Sequence, residues 1–144
     1  MGNARHFVER GYRLLYDARD PAAFVEYFLL PEGEILTPGG RIEHGQAQGW
    51  LQGWLDGFPD LKARIVDIVE AGPTVAIEVR YTGTNSAPMA GPNGVQPATG
   101  RPIDLWSAEF IRIEGSRFAS WHMYFDMLTY QRQLGLVPEP AGAC

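Results

Sequence analysis

The chain contains one cysteine, Cys144, at its last position, so no internal disulfide can form. That argues against a small secreted domain held together by paired cysteines. No apolar run approaches the ~20 residues that a membrane-spanning helix needs. The opening stretch, MGNARHFVERGYRLL, has charges scattered through it and no apolar core of the kind a signal peptide carries. It also has His6 where a myristoylation signal wants Ser or Thr. Basic residues are few: 12 Lys and Arg stand against 17 Asp and Glu, for a net charge of -5. They form no run, which excludes the clustered positive charge that phosphate backbones require. There is no glycine-rich phosphate loop, no GxSxG elbow and no nucleophilic cysteine motif. The three histidines, His6, His44 and His122, do not fall with carboxylates at zinc-ligand spacing. The expectation is a cytoplasmic protein without a metal site that binds neither nucleic acid nor membrane.

At 144 residues the chain fits one domain with a proper core. Phe7, Tyr12, Leu15 and Tyr16 follow helical spacing and predict a first amphipathic helix ending near Asp20. Asp20 before Pro21 predicts an N-capped second helix to Leu30, stopped by Pro31. Trp50, Leu51, Trp54, Leu55 and Phe58 recur helically and predict a third, from about Gln46 to Gly57. The segment from Glu34 to Glu43 reads as a short strand, a Pro-Gly-Gly turn and a return. From Leu61 the period becomes that of strands: Leu61 to Glu70, Thr74 to Thr84, Pro102 to Glu114 and Arg117 to Met127. Helices followed by a run of long strands predict an α+β domain with helices on one face of an antiparallel sheet. The intervening stretch from Asn85 to Arg101 is rich in Gly, Pro, Ala and Asn, and a loop of that length is usually functional or mobile. Residues 1–144 form one domain, with a tail from about 137 expected to be flexible.

Gly115-Ser116 suits a two-residue type II′ turn between the last two strands. If pairing runs on unbroken from Glu114 and Arg117, Glu109 faces His122, and Tyr124 and Asp126 share their side of the sheet. Two carboxylates and an imidazole on one face can perform acid–base chemistry, and an apolar cavity raises a carboxyl pKa toward the working pH. The same register puts Trp106, Phe110, Trp121, Met123 and Phe125 on the opposite face. The plainer alternative is a solvent-exposed Glu–His pair, with Asp126 starting the C-terminal turn. Trp50 and Trp54, with Tyr12, Tyr16 and Phe28, read either as core or as aromatic walls of a pocket. Tyr124 can orient a substrate oxygen. Glu78 and Arg80 alternate with apolar residues and point outward.

From Phe58 onward a series of short motifs comes in order: Phe58-Pro59-Asp60-Leu61, Tyr81-Thr82-Gly83-Thr84-Asn85, Pro97-Ala98-Thr99-Gly100-Arg101, Phe110-Ile111-Arg112, Trp121 through Asp126, and Gln133-Leu134-Gly135-Leu136. The series resembles the SnoaL-like polyketide cyclases of the nuclear transport factor 2-like superfamily. The resemblance implies a cone-shaped, curved antiparallel sheet wrapped around N-terminal helices and enclosing an apolar pocket. It further implies aldol-type ring closure on a hydrophobic carbonyl substrate, polyketide-like, without a cofactor. By position, Asp126 matches the family's acid–base aspartate, Glu109 a site often held by Asp or His, and His122 a site held by His in some relatives. Asn85 departs from the family, where many members carry His; it can bond a substrate oxygen but cannot shuttle a proton. Because the superfamily often pairs through its convex face, Trp106, Phe110, Trp121, Met123 and Phe125 are expected to form a homodimer interface. Two rival readings share the fold: an epoxide-opening enzyme, which would need an inward Arg80, and a small-molecule-binding protein without catalysis.

Overall fold

A computed structural model describes residues 3–91 and 94–138. The tail expected from about 137 lies, beyond Pro138, outside the described residues. The first helix, α1 (Asn3–Tyr12), continues into one π turn (Arg13–Asp17). The second, α2 (Pro21–Phe28), has Pro21 in its first turn, and the Asp20 carboxylate accepts from the Ala23 amide. That cap is the one its sequence predicts. Its end is not: the helix stops at Phe28, and Leu29 already opens strand β1 (Leu29–Thr37). Pro31 therefore sits inside an irregular strand rather than terminating a helix. A short return, β2 (Gly40–Ile42), leads to α3 (His44–Gly57), and Glu43 and Gln46 close a capping box at its start.

The four long strands follow as β3 (Lys62–Ala71), β4 (Thr74–Thr84), β7 (Pro102–Glu114) and β8 (Arg117–Phe125). Between β4 and β7, the stretch read as a loop carries a small hairpin of β5 (Met89–Gly91) and β6 (Gly94–Gln96). The main sheet runs in the order β2-β1-β8-β7-β4-β3. It is mixed, because β1 joins β8 in parallel while the other pairs are antiparallel. It curves around the helices and stays open at both edges, so the cone is not a closed barrel. Its concave face is apolar: Val75, Ile77, Val79 and Tyr81 of β4 and Ile103, Leu105, Ile111 and Ile113 of β7 are buried beneath α1, α2 and α3.

Two backbone details set the register. Gly115 and Ser116 both have positive φ, at 54° and 68°, which makes the β7–β8 connection a type I′ turn rather than type II′. Pairing then starts as expected, with Glu114 opposite Arg117 and Ile113 opposite Phe118, but it shifts at once: Arg112 pairs with Ser120. Ala119 is an extra residue, a β-bulge. Beyond it every side chain of β8 lies on the face opposite to that predicted by unbroken pairing. Glu109 faces Met123, Ile111 faces Trp121, and Phe110 faces His122. Trp121 and Met123 are thus core residues, and His122 and Tyr124 belong to the convex face.

Deleting Ala119 would return β8 to unbroken pairing and turn Trp121 and Met123 out to solvent. Losing both buried side chains costs about 3–6 kcal/mol, a large part of an ordinary domain's stability of about 5–15 kcal/mol. The deletion variant should therefore show no cooperative urea unfolding. A sharp transition near the wild-type midpoint would mean that the bulge does not govern the register.

Candidate active site

Among the described residues, the concave face carries one fully buried carboxylate, Glu109, at the middle of β7 between Ser107 and Ile111. Burying such a group is costly unless its oxygens find donors. Three elements supply them. Tyr81 of β4 donates its hydroxyl to Oε2 at 2.6 Å, Trp121 of β8 donates its indole N–H to Oε1 at 2.9 Å, and Tyr12 of α1 donates its hydroxyl to Oε1. Tyr16, one turn on from Tyr12, brings its hydroxyl to 3.4 Å from that of Tyr81. The rings brace one another: Tyr12 meets Trp121 edge-on at 5.7 Å, and Tyr16 meets Tyr81 edge-on at 5.6 Å. Tyr16 belongs to the π turn, a departure that recurs at functional positions in helices.

Burial, reinforced by the negative charge of Glu109, pushes the hydroxyls of Tyr12, Tyr16 and Tyr81 above the ordinary tyrosine value. All three therefore stay protonated donors through the physiological range. A carboxylate ringed by fixed hydroxyl donors can hold or pass a proton, and the hydroxyls can also stabilise a developing oxyanion.

Two apolar spaces lie on either side of Trp50, Trp54 and Phe125, which line both. The larger, a cleft of about 470 Å³, lies between α3, the β5–β6 hairpin, the β1–β2 turn and the end of β8, with Tyr130 also among its walls. The smaller, about 20 Å³, is lined by Tyr16, Tyr81, Leu105 and Met123 as well. The hairpin can form one wall because α3 offers it glycines. A Cβ on Gly53 would lie 2.6 Å from the Ala90 carbonyl oxygen, and one on Gly57 would lie 3.0 Å from the Met89 Cβ. Tyr130, whose burial raises its hydroxyl to about 12, reaches only the Met89 sulfur at 3.9 Å.

The sequence matches the family of SnoaL-like polyketide cyclases over residues 8–134. The chain belongs to the SnoaL-like family. Solved structures share its fold. TsrD from Streptomyces laurentii is 22% identical, with a TM-score of 0.77, over 95% of this chain and 98% of that one. AclR from Streptomyces galilaeus, provisionally designated a hydroxylase, is 18% identical with a TM-score of 0.78, over 99% and 87%. IdmH from Streptomyces antibioticus, provisionally designated a polyketide cyclase, is 25% identical with a TM-score of 0.68, over 88% and 97%. No curated protein sequence matches the chain.

Against this SnoaL-like fold, the candidate residues from the sequence separate into two groups. Glu109, Tyr12 and Tyr16 come together in the buried network, and Trp50 and Trp54 wall the cleft. The others stand elsewhere. Asp126 is exposed rather than enclosed: it N-caps α4 (Met127–Gln133), accepting from the Leu128 and Thr129 amides and the Thr129 hydroxyl. The Thr129 hydroxyl bond is the main reason that its pKa lies below the ordinary carboxylate value, the opposite of the expected rise. His122 is on the convex side, with Nε2 3.6 Å from Glu34, so it does not meet Glu109. Tyr124 is also outward, against Phe110. Phe28 is core, stacked on Phe24. Asn85 is buried and fully used: its amide donates to the carbonyls of Gly57 and Ala87 and accepts from the Thr99 amide. It pins the long loop and has no polar atom left for a substrate.

Of the five residues expected at a dimer interface, Trp121 and Met123 are interior and Phe125 lines the cleft, which leaves Trp106 and Phe110 on the convex face. Arg80 points outward, as the strand alternation predicts, and is paired with Asp104. Among the described residues, no three His, Cys, Asp or Glu side chains come close enough to hold a metal. Nor is any helix long and apolar enough to cross a membrane.

Sequence reasoning missed Tyr81 and Trp121. The available signal was the spacing of Phe118 and Trp121, three apart in a strand, which cannot share a face unless a bulge intervenes.

Because the folded pKa of Asp126 is depressed, its stabilising contribution is present above the ordinary value of 3.8 and disappears as pH falls through the lower folded value. Asp126→Ala should therefore melt below wild type at neutral pH, and the two melting curves should converge in strong acid. A constant difference down to the lowest pH would mean that the carboxylate charge is not what caps α4.

Proposed function

We propose that this SnoaL-like protein is a cofactor-independent cyclase or isomerase for a hydrophobic carbonyl compound, using the Glu109 network as its acid–base centre. The observation that carries this reading is a buried carboxyl whose tyrosine donor Tyr81, with Tyr16, lines a small apolar space beside the cleft. A substrate carbonyl oxygen entering the smaller space would meet Tyr16 and Tyr81. As a proton leaves the adjacent carbon, it would pass through the hydroxyl pair to Glu109, each oxygen gaining one proton and giving one up. The resulting enolate carbon would attack a second carbonyl carbon of the same molecule and close the ring. The alkoxide so formed would take the proton back from the network. The sequence is an isomerisation: no atom is lost, and Glu109 ends as it began. Family membership and the cyclase designation of IdmH support the substrate class.

A second reading keeps the same pocket without chemistry. Its support is specific: Asp126, the family's acid–base position by resemblance, has its carboxylate engaged in capping α4. The smaller apolar space is also narrow. An epoxide-opening reading finds no comparable support, since Arg80 and Asp104 pair on the convex face.

Glu109→Gln distinguishes the first two. With linear poly-β-ketone thioesters, ring closure followed by chromatography and absorbance should fall about 10²–10⁴-fold. Quenching of Trp54 fluorescence by a naphthol-type product analogue should persist. Binding without turnover by the wild type across such substrates would favour the binding protein. Turnover unchanged in Glu109→Gln would remove Glu109 from the mechanism.

The convex face supports a homodimer reading on a smaller set of residues than its sequence predicts. Trp106, Phe110 and Tyr124 are 49%, 48% and 52% exposed and lie on adjoining strands, an apolar patch unusual on a lone subunit. Phe110→Glu should convert a dimer to monomer in sedimentation velocity while leaving circular dichroism unchanged. An unchanged sedimentation coefficient would place the interface elsewhere.

A further inference from the structure

The donors to Glu109 are shared unequally between its two oxygens. Oε1 accepts twice, from the Tyr12 hydroxyl and from the Trp121 indole N–H at 2.9 Å. Oε2 accepts once, from the Tyr81 hydroxyl at 2.6 Å. The division is also one of place. Tyr81 lines the smaller apolar space together with Tyr16, whereas neither Tyr12 nor Trp121 lines that space or the larger cleft. The two donors on Oε1 differ in what they can do. A hydroxyl can give one proton and take another, but an indole N–H only donates and keeps its proton. Trp121 is also fully buried, packed against the rings of Tyr12, Phe24 and Phe118 at centroid distances of 5.7, 5.5 and 5.8 Å. The direction of its N–H is therefore fixed.

We propose that Trp121 is a positioning residue of the site: its indole N–H holds Oε1 of Glu109 as a permanent acceptor and leaves Oε2 to exchange the proton. The proposal rests on the acid–base reading of Glu109 and says which oxygen carries it out. A carboxylate oxygen has two lone pairs to offer. On Oε1 both are engaged, by Tyr12 and Trp121. A proton landing there would have to displace a charge-assisted bond and leave its donor buried and unpaired. On Oε2 one lone pair is free beside the Tyr81 bond. The proton relayed through the tyrosines thus arrives at Oε2. The hydroxyl proton of Tyr81 moves to Oε2 as Tyr81 takes the hydroxyl proton of Tyr16, which is replaced by the proton from the substrate carbon. Each tyrosine oxygen gives one proton and gains one.

The test removes the N–H and keeps the ring. Replacing Trp121 by benzothienylalanine puts sulfur where the N–H stands, and Trp121→Phe is a second variant. Tyr81→Phe, which strips the donor from Oε2, is the reference. The readout is the infrared absorption of the Glu109 side chain in the substrate-free protein, identified as the bands lost in Glu109→Gln. In the protonated form, a proton on Oε2 leaves Oε1 as the carbonyl. Loss of the indole N–H should then raise the carbonyl stretch, and Tyr81→Phe should leave it nearly unmoved. In the ionised form, loss of the N–H leaves one donor on each oxygen and should narrow the separation of the antisymmetric and symmetric stretches, whereas Tyr81→Phe should widen it. A carbonyl stretch moved by Tyr81→Phe and not by loss of the N–H, or carboxylate bands that both changes shift alike, would overturn the assignment. The measurement needs no substrate, so its outcome is separate from that of the Glu109→Gln turnover experiment.

Discussion

The structure depends on how one carboxylate is kept inside it. Glu109 sits where the concave face of β7 is otherwise Ile, Leu and Ser, and a charge there without donors would cost several kcal/mol. The remedy draws on α1, β4 and β8, which contribute Tyr12, Tyr81 and Trp121. These elements are distant in sequence and meet only when the sheet has curved and the first helix has docked across it. The network ties the helix layer to the sheet and fixes its hydroxyl groups in place; on the proposed reading the same fixed hydroxyls serve the chemistry.

Fixing those donors required a break in the regularity of the sheet. With unbroken pairing, Trp121 would have pointed to solvent and His122 inward, and Glu109 would have lost its indole donor. The bulge at Ala119 corrects both at once, because a single extra residue reverses every later side chain. Bulges cluster beside functional sites for this reason: they re-aim side chains without changing topology. The same inversion leaves Trp106, Phe110 and Tyr124 together on the convex face and reduces the apolar surface there from what five large residues would have made.

Periodicity made most of the architecture legible. The caps at Asp20 and the Trp50–Trp54 face of α3 were readable, as were the four long strands and the outward Arg80, because each is a local pattern with a local cause. Glu109 was readable as a carboxyl on a strand otherwise rich in apolar residues. What escaped was non-local. Whether β1 joins β8 in parallel depends on the chain returning across the sheet, which no local period reports. The partners of Glu109 depend on one bulge, and the turn residues Gly115-Ser116 alone do not reveal it. Asp126 shows the converse hazard. Its position matched a family pattern, but in this chain Thr129 and two amides use its oxygens to start α4.

The polarity of the cleft bears on what it can recognise. Along the cleft walls the polar side chains are few: the Thr37 hydroxyl donates to the Gly40 carbonyl, the Tyr130 hydroxyl rests against a sulfur, and the Gln96 amide nitrogen is buried without a partner. The tyrosine hydroxyls lie beside the smaller space, where Tyr16 meets Tyr81 and Tyr81 donates to Glu109. A ligand that fits this gradient is apolar along its length with a hydrogen-bond-accepting oxygen at its leading end. Apolar walls discriminate weakly between hydrocarbon shapes, by about 1–3 kcal/mol per methylene. On the proposed reading, selectivity for the apolar body of a ligand would therefore be permissive. Wall residues such as Trp50 and Met89 can change the shape of the cleft without disturbing the donors that hold the Glu109 carboxylate.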